Sequence, residues 1–266
     1  MPNQDVRLPA AAGSFYPAQA EKLRAVIDRH LEKADPPALT DVRALIVPHA
    51  GYVYSGAIAA SGYKLLKAQT PPPTRAVLMG PAHRVWFQGA ALGDYNAFET
   101  PLGQVNVDRA FLKQLADDDS PFHMLPRAHG GEHCLETQIP FLQTVLPHAP
   151  IAPLLFGEID PTDAGKQLAQ HLTEEDIVIV SSDLSHYHSY KEAERLDRSF
   201  IDAVLKGDRR RVQQGEACGQ APILSLMTIA ESKGWEPHLL DYRNSGDTSG
   251  NTNQVVGYAA IAYTEE

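Results

Sequence analysis

The chain has 266 residues, 43% of them hydrophobic and 21% charged, with a formal net charge of −10. That is enough for a large globular core, and the acidic balance argues against a broad nucleic-acid-binding surface. Two cysteines, Cys134 and Cys218, do not make a disulfide framework. The N-terminus MPNQDVRLPAAAG has no signal-peptide core, and no run approaches the ~18 apolar residues of a membrane span. The expectation is a soluble, cytoplasmic protein of one domain over residues 1–266, with no nucleic-acid or membrane partner.

In chain order, residues 1–17 read as irregular and end in Gly13-Ser14-Phe15-Tyr16-Pro17, aromatics that suit a segment packed onto the body. Leu23, Val26, Ile27 and Leu31 predict a helix from Gln19 to Lys33, ended by Asp35-Pro36-Pro37. Leu45-Ile46-Val47 is a short apolar run, suited to a strand buried on both faces. Pro48 has no N–H and ends the ladder, so His49 falls at a strand's carboxyl end, before the turn Ala50-Gly51. Ser55 is the expected N-cap of a helix from Gly56 to Lys67. Its small residues Ala57, Ala59, Ala60 and Gly62 allow close packing on a sheet.

After the stiff connector Pro71-Pro72-Pro73, a second run, Ala76 to Met79, breaks at Gly80-Pro81 and delivers His83. Gly89 to Leu92, Ala97 to Thr100 and Val105 to Val107 are short and β-like, an expected hairpin excursion near the sheet edge. Asp108 caps a helix to Ala116, and Asp117-Asp118-Asp119 reads as a solvated loop. A helix is expected from Glu132 to Val145, kinked or divided at Pro140, with His133 and Glu136 on one face. No second histidine makes it a zinc-protease motif. Ile151 to Phe156 is a strand and Asp163 to His171 a helix. Asp176 to Val180 is a third strand of the same kind, followed by Ser181-Ser182-Asp183-Leu184-Ser185-His186. Helices Glu192 to Leu205 and Pro222 to Lys233 follow. Arg209-Arg210-Arg211 reads as a solvated helix face. Strands His238 to Tyr242 and Gln254 to Tyr263 flank a glycine-containing loop, 243–251. Alternation of strands and helices predicts an α/β fold with a mixed, mainly parallel sheet flanked by helices on both faces.

One strand-end histidine alone would be read as structural. Three of them, at the edge where open α/β sheets bind ligands, point to one crevice. Imidazoles suit zinc, copper, iron and nickel. His49 and His83 are the expected metal ligands, and Asp247 in the late loop is the oxygen donor available as a third. Two histidines and a carboxylate form the facial set of non-haem iron(II), and the same set could hold zinc with a bound water. Asp183, three residues before His186, would fix the imidazole tautomer and make His186 a general base or acid.

These residues sit in long motifs: AGSFYP before Ala18, IVPHAGYVYSG around His49, GPAH at His83, TPLG from Thr100, EHCLETQIPF from Glu132, SSDLSHY before His188, CGQAPI from Cys218 and the closing VVGYAA. The sequence resembles the Memo family, whose microbial members are called protein B of the AmmeMemoRadiSam system. The resemblance implies a fold like the catalytic subunit of class III extradiol dioxygenases, which hold Fe(II) on two histidines and a glutamate. It implies His49 and His83 as the histidine ligands, His186 at the position of the base, and Phe15 as a pocket-lining aromatic. His133 and Thr248 join Phe15 as expected substrate-binding positions. Animal members place a cysteine where Thr248 stands here, beside Asp247, so a soft sulfur donor is not expected at that position. Fe(II) is the expected cofactor, with copper or zinc as alternatives. A radical-SAM protein and an AMMECR-type protein are the implied partners. Two functional readings follow. One is a metal-dependent, dioxygenase-like or other redox enzyme acting on a small molecule. The other is a non-catalytic module that binds a peptide or metal.

Overall fold

The structure is a computed structural model that describes residues 5–93, 95–116 and 120–265. The Asp117-Asp118-Asp119 loop and the first four residues lie outside the described residues. The chain opens with β1 (Val6–Arg7), α1 (Ala20–Lys33), β2 (Val42–Val47), α2 (Tyr52–Ala68) and β3 (Arg75–Pro81). Short strands β4 (Ala90–Leu92), β5 (Ala97–Thr100) and β6 (Gly103–Asn106) lead to α3 (Arg109–Leu115) and β7 (Phe122–Met124). Then come α4 (Pro126–His129), a 3-10 turn at Glu136–Gln138, α5 (Ile139–Val145), β8 (Ile151–Phe156), α6 (Pro161–His171) and β9 (Asp176–Ser181). The last third holds β10 (His186–His188), α7 (Tyr190–Leu205), α8 (Arg209–Gln214), α9 (Gln220–Lys233), β11 (Trp235–Asn244), α10 (Ser245–Ser249) and β12 (Val255–Glu265).

The main sheet has nine strands in the order β10-β12-β2-β9-β3-β8-β4-β7, with β11 also on β12. β2, β9, β3 and β8 are parallel neighbours, while β12 runs antiparallel to β2, and β4 to β8. β8 and β9 are buried at every residue, and β2 and β3 at all but one. That is why they read as unbroken apolar runs rather than alternating ones. Helices α1, α2 and α5 pack together, α2 lying against β2, β11 and β12. A second group, α6, α8 and α9, covers β3 and β9 through α9. Small residues let α2 approach closely: a Cβ on Gly62 would stand 3.1 Å from a Leu45 methyl. The expected hairpin excursion divides in two. β4 joins the main sheet, whereas β5 and β6 form a separate three-stranded sheet with β1.

Three boundaries differ from the sequence expectation. α2 begins at Tyr52, because Gly51 serves as its N-cap and the Ser55 hydroxyl turns back to the Ala50 carbonyl at 2.9 Å. The helix expected from Glu132 starts only at Ile139. Pro140 then sits in its first turn, where a missing N–H costs nothing, so it neither kinks nor divides the helix. The loop expected at 243–251 is the end of β11 followed by α10, closed by a reciprocal cap between Asn244 and Asp247. Among the described residues no helix is long and apolar enough to cross a membrane. The arginine triplet is not merely solvated. Arg209 donates to the Leu224 carbonyl and to the hydroxyls of Thr228 and Thr162, and Arg211 pairs with Asp202.

Candidate metal centre

β2 and β3 lie either side of β9, so the loops leaving them rise beside one another at the same sheet edge. His49 follows β2 and His83 follows β3, and their ring centroids are 5.2 Å apart. A third imidazole arrives from the segment before α5: the His133 ring is 5.5 Å from that of His49 and 4.9 Å from that of His83. One ligand atom from each of the three lies within 4.8 Å of the other two. His49 is buried, and His133 and His83 are progressively more open, with side chains 17% and 31% exposed. The pocket therefore has a closed floor and an accessible mouth.

Hydrogen bonds fix which nitrogen His49 and His83 offer. The Ser181 hydroxyl donates to the Cys134 carbonyl at 2.7 Å, which uses its single proton. It can then only accept from His49 Nδ1 at 3.0 Å and from Gln138 Nε2 at 2.8 Å. His49 is thus the Nδ1–H tautomer, and its lone pair sits on Nε2. Glu132 does the same for His83. Its Oε1 accepts from His83 Nδ1 at 2.9 Å and lies 3.0 Å from His133 Nδ1. The latter contact is off the line of a good hydrogen bond, and His133 Nδ1 has no aligned partner. Glu132 also accepts the backbone N–H groups of His83 at 2.7 Å and His133 at 2.8 Å. Burial alone pushes the Glu132 carboxyl up. The close His133 ring and the hydrogen bonds from the His83 ring and backbone outweigh it and hold the group well below the usual range. A carboxylate behind two imidazoles is the arrangement that orients metal-bound histidines and raises their basicity. Three neutral nitrogen donors with an open side fit a first-row divalent ion.

The segment carrying Glu132 and His133 is pinned from behind. The buried Glu136 carboxylate pairs with Arg7 and accepts the N–H groups of Ala10 and Ala11, each at 2.8 Å, and the Tyr16 hydroxyl. Arg7 also donates to the carbonyls of His129 and Glu132. His133 and Glu136 therefore serve different partners, His133 the other imidazoles and Phe15, Glu136 the N-terminal segment. Gln138 closes the floor, bonding the Pro48 carbonyl at 2.9 Å and taking the Tyr63 hydroxyl at 2.9 Å.

The other residues singled out in the sequence are placed as follows. Phe15 lies against His133, ring centroids 4.4 Å apart. Asp183 does not pair with His186. Its Oδ1 accepts the N–H of His49 at 2.8 Å and of Ala50 at 3.3 Å, which holds the His49 loop in place. His186 is carried away along β10 onto β12, paired opposite Val256, because Leu184 and Ser185 bond Gly257 of that strand on the way. A Cβ on Gly257 would come within 2.0 Å of the buried Asp197 carboxylate, so only glycine admits this route. The His186 ring has no hydrogen-bonding partner among the described residues, though the buried Asp197 carboxylate lies within electrostatic reach. Asp247 is not brought to His49 and His83. Its Oδ2 accepts the Asn244 N–H at 2.8 Å as part of the α10 cap, and its Oδ1 accepts the hydroxyl of Tyr190, the first residue of α7, at 2.7 Å. The Thr248 hydroxyl bonds the Ser245 carbonyl inside the same short helix at 3.2 Å. Sequence reasoning gave Cys218 no role at the pocket, yet its Sγ lies 3.3 Å from His49 Nε2. Burial, with the nearby Asp183 charge, pushes its thiol up to about 12.

Burial lowers His49 to about 4, opposed by Asp183 and reinforced by His83 and His133. Burial likewise lowers His129 to about 4, its Nε2 facing the Ala91 carbonyl at 2.9 Å. Both depressed values mean that the unfolded chain takes up protons, near pH 6.5, before the folded chain does. Stability is therefore complete above pH 6.5 and falls as pH drops toward 4. In chelator-treated protein each residue is expected to remove roughly 2 kcal/mol between pH 7 and pH 5. Urea unfolding at the two values measures it. An unchanged midpoint would mean that neither histidine is held neutral.

A family model described as "Memo-like protein" matches residues 7–262. The "MEMO1 family protein" of Archaeoglobus fulgidus is 36% identical over 275 residues, covering 97% of this chain and 99% of its own. Those of Methanopyrus kandleri and Sulfolobus acidocaldarius are 34% and 33% identical, again over 97% of this chain and 98% and 99% of theirs. Among solved structures, the uncharacterized protein JW3007 of Escherichia coli K12 matches with a TM-score of 0.53 at 16% identity. It covers 83% of this chain and 99% of its own, a likeness of fold alone. With the family model spanning nearly every described element and relatives aligned end to end, the chain belongs to the Memo family.

Proposed function

We propose that the chain is a metal-dependent enzyme, and that His49, His83 and His133 hold one divalent ion, iron(II), for redox chemistry of the dioxygenase-like kind. The observation that carries this reading is direction. Ser181 accepts the Nδ1–H of His49 and Glu132 that of His83, which leaves Nε2 of both rings for the ion, and His133 Nδ1 lies beside the same Glu132 carboxylate. Bound there, iron would supply Lewis acidity and a route to dioxygen, while zinc would supply only the former.

Three neutral ligands would leave the ion's charge undiminished, which favours an anionic oxygen of substrate in the open position. Asp183 holds the His49 loop through two backbone N–H groups and so acts by positioning. Phe15 gives the pocket a flat apolar wall beside His133. Trp86 is exposed three residues after His83, so the loop leaving β3 offers an aromatic surface. His186, with no hydrogen-bonding partner of its own, is assigned the transfer of a substrate proton.

Anaerobic loading with iron(II), then oxygen uptake with a series of catechols, tests the reading. Uptake is expected, slowed roughly 10²–10⁴-fold in His186→Gln if that ring moves the proton. Turnover that needs no oxygen would replace it with a hydrolytic zinc site, and retained metal without any turnover would favour a binding module.

A further inference from the structure

The end of α7, the start of α8, the C-terminal part of α9, the start of β11 and the end of β12 line a cavity of about 360 Å³. It lies at the far end of β12 from His186, whose strand pairs at Val256. Tyr263, in the cavity wall, pairs instead with Ala44 of β2. Trp235 and Pro237 are two apart on β11 and Tyr263 stands opposite Pro237, so the three share one face of the sheet. Val204, Met227 and Ala230 add apolar wall from the helices. Tyr263 is 2% exposed, and among the described residues its hydroxyl has no hydrogen-bond partner. Buried hydroxyls are rarely left so.

Charge is divided across this cavity. Lys206 and Arg209 line it from the α7–α8 connection and the start of α8, Glu231 and Glu236 from α9 and β11. Lys206 pairs with Asp202 at 2.8 Å. Arg209 is held by neutral oxygens alone: its Nη1 donates to the Leu224 carbonyl and the Thr228 hydroxyl, its Nη2 to the Thr162 hydroxyl. That uses three of the guanidinium's five N–H groups and leaves Nε–H and one Nη2–H. Among the described residues Arg209, Glu231 and Glu236 make no ion pair, with one another or with any other group. Opposite charges that line one cavity without pairing leave a gap that a molecule carrying both can span. Glu231 also stands in the last turn of α9, at the negative end of the helix, where a carboxylate is disfavoured and a bound cation is favoured.

We propose that the cavity binds a free α-amino acid whose large side chain ends in a hydrogen-bonding group. The carboxylate takes the free N–H groups of Arg209, which match it in geometry and charge. The ammonium lies toward Glu231 and Glu236. The side chain packs on Trp235, Met227 and Pro237, and its polar end meets the Tyr263 hydroxyl. A volume of this size is at the lower end of the ~300–1,000 Å³ of small-molecule sites, which suits one amino acid rather than a peptide. The site is separate from the three histidines and needs no metal.

Ligand-observed NMR titration of the full-length protein, with and without metal, tests this. Tyrosine is expected to bind in both states with a Kd below ~1 mM. Tyramine, which lacks the carboxylate, and hydroxyphenylpropionate, which lacks the ammonium, should each bind at least ~10-fold more weakly. Phenylalanine, without the hydroxyl, should bind roughly 10-fold more weakly. Tyr263→Phe removes only the unpartnered hydroxyl, so the fold loses no hydrogen bond. It should erase the preference for tyrosine while leaving phenylalanine binding unchanged. No binding of either amino acid, equal binding of the single-charge analogues, or a preference that survives Tyr263→Phe would overturn the proposal. Binding lost with the metal and restored by zinc would place the ligand at the histidines and overturn it as well.

Discussion

Replacing His133 with alanine is expected to strip the protein of its metal, whereas Asp247→Ala should leave the metal in place. The contrast is large because the two residues stand in unlike surroundings. His133 lies within ring contact of both His49 and His83, and its ligand atom is within 4.8 Å of theirs. Removing it leaves two imidazoles and loses one of the two rings that Glu132 orients. Loss of an outer-sphere partner alone costs roughly 10–100-fold in affinity, so loss of a direct ligand should exceed ~100-fold. Asp247, by contrast, spends both carboxylate oxygens on the Asn244 N–H and the Tyr190 hydroxyl. Its removal should cost the α10 cap, about 1 kcal/mol, and nothing at the metal. Elemental analysis of the purified variants, followed by zinc competition against a chelator, decides it. Metal retained by His133→Ala and lost by Asp247→Ala would put the third ligand in the late loop after all.

The histidines on β2 and β3 were legible because the signal is local. A buried parallel strand reads as a short apolar run, and proline or a glycine-proline pair marks its end. Strand adjacency then follows from alternation with helices, and the order β2-β9-β3 places His49 and His83 on either side of one strand. His133 was harder to see as a ligand because its segment looked helical. Pro140 fits the first turn of a helix as well as it breaks the middle of one, and only tertiary contacts reveal which. The clue available in the sequence was the adjacent pair Glu132-His133, since a carboxylate entering a core needs donors that take it there. The Asp183–His186 pairing failed for a different reason. Three residues suffice for a contact in a turn, but here the chain leaves the turn as a strand and pairs with β12. Cys218 was invisible because α9 is distant in sequence from β2, and nothing local marks the sulfur as facing His49.

The network behind Glu132 carries the largest expected stability effect. Glu136→Gln keeps the shape of the side chain but removes the charge that Arg7 requires, and Arg7 is only 2% exposed. It also sets an amide NH2 where four donors converge: the Arg7 guanidinium, the Ala10 and Ala11 N–H groups and the Tyr16 hydroxyl. Breaking one side of a buried pair typically costs 3–5 kcal/mol because the surviving charge is stranded. For a chain of this size the midpoint of thermal unfolding should fall by roughly 10 °C. Arg7→Leu combined with Glu136→Leu should recover part of that loss, since no buried charge remains. Recovery stays partial, because the Ala10 and Ala11 N–H groups and the Tyr16 hydroxyl still lack an acceptor. Metal affinity should not recover with it. Arg7 also ties down the carbonyls of His129 and Glu132, so the double variant leaves the loop bearing Glu132 and His133 without its anchor. Calorimetry and zinc competition on the two variants separate the effects. If metal affinity returned along with the thermal midpoint, Arg7 and Glu136 would serve the fold alone and the histidine loop would need no anchoring from the N-terminal segment.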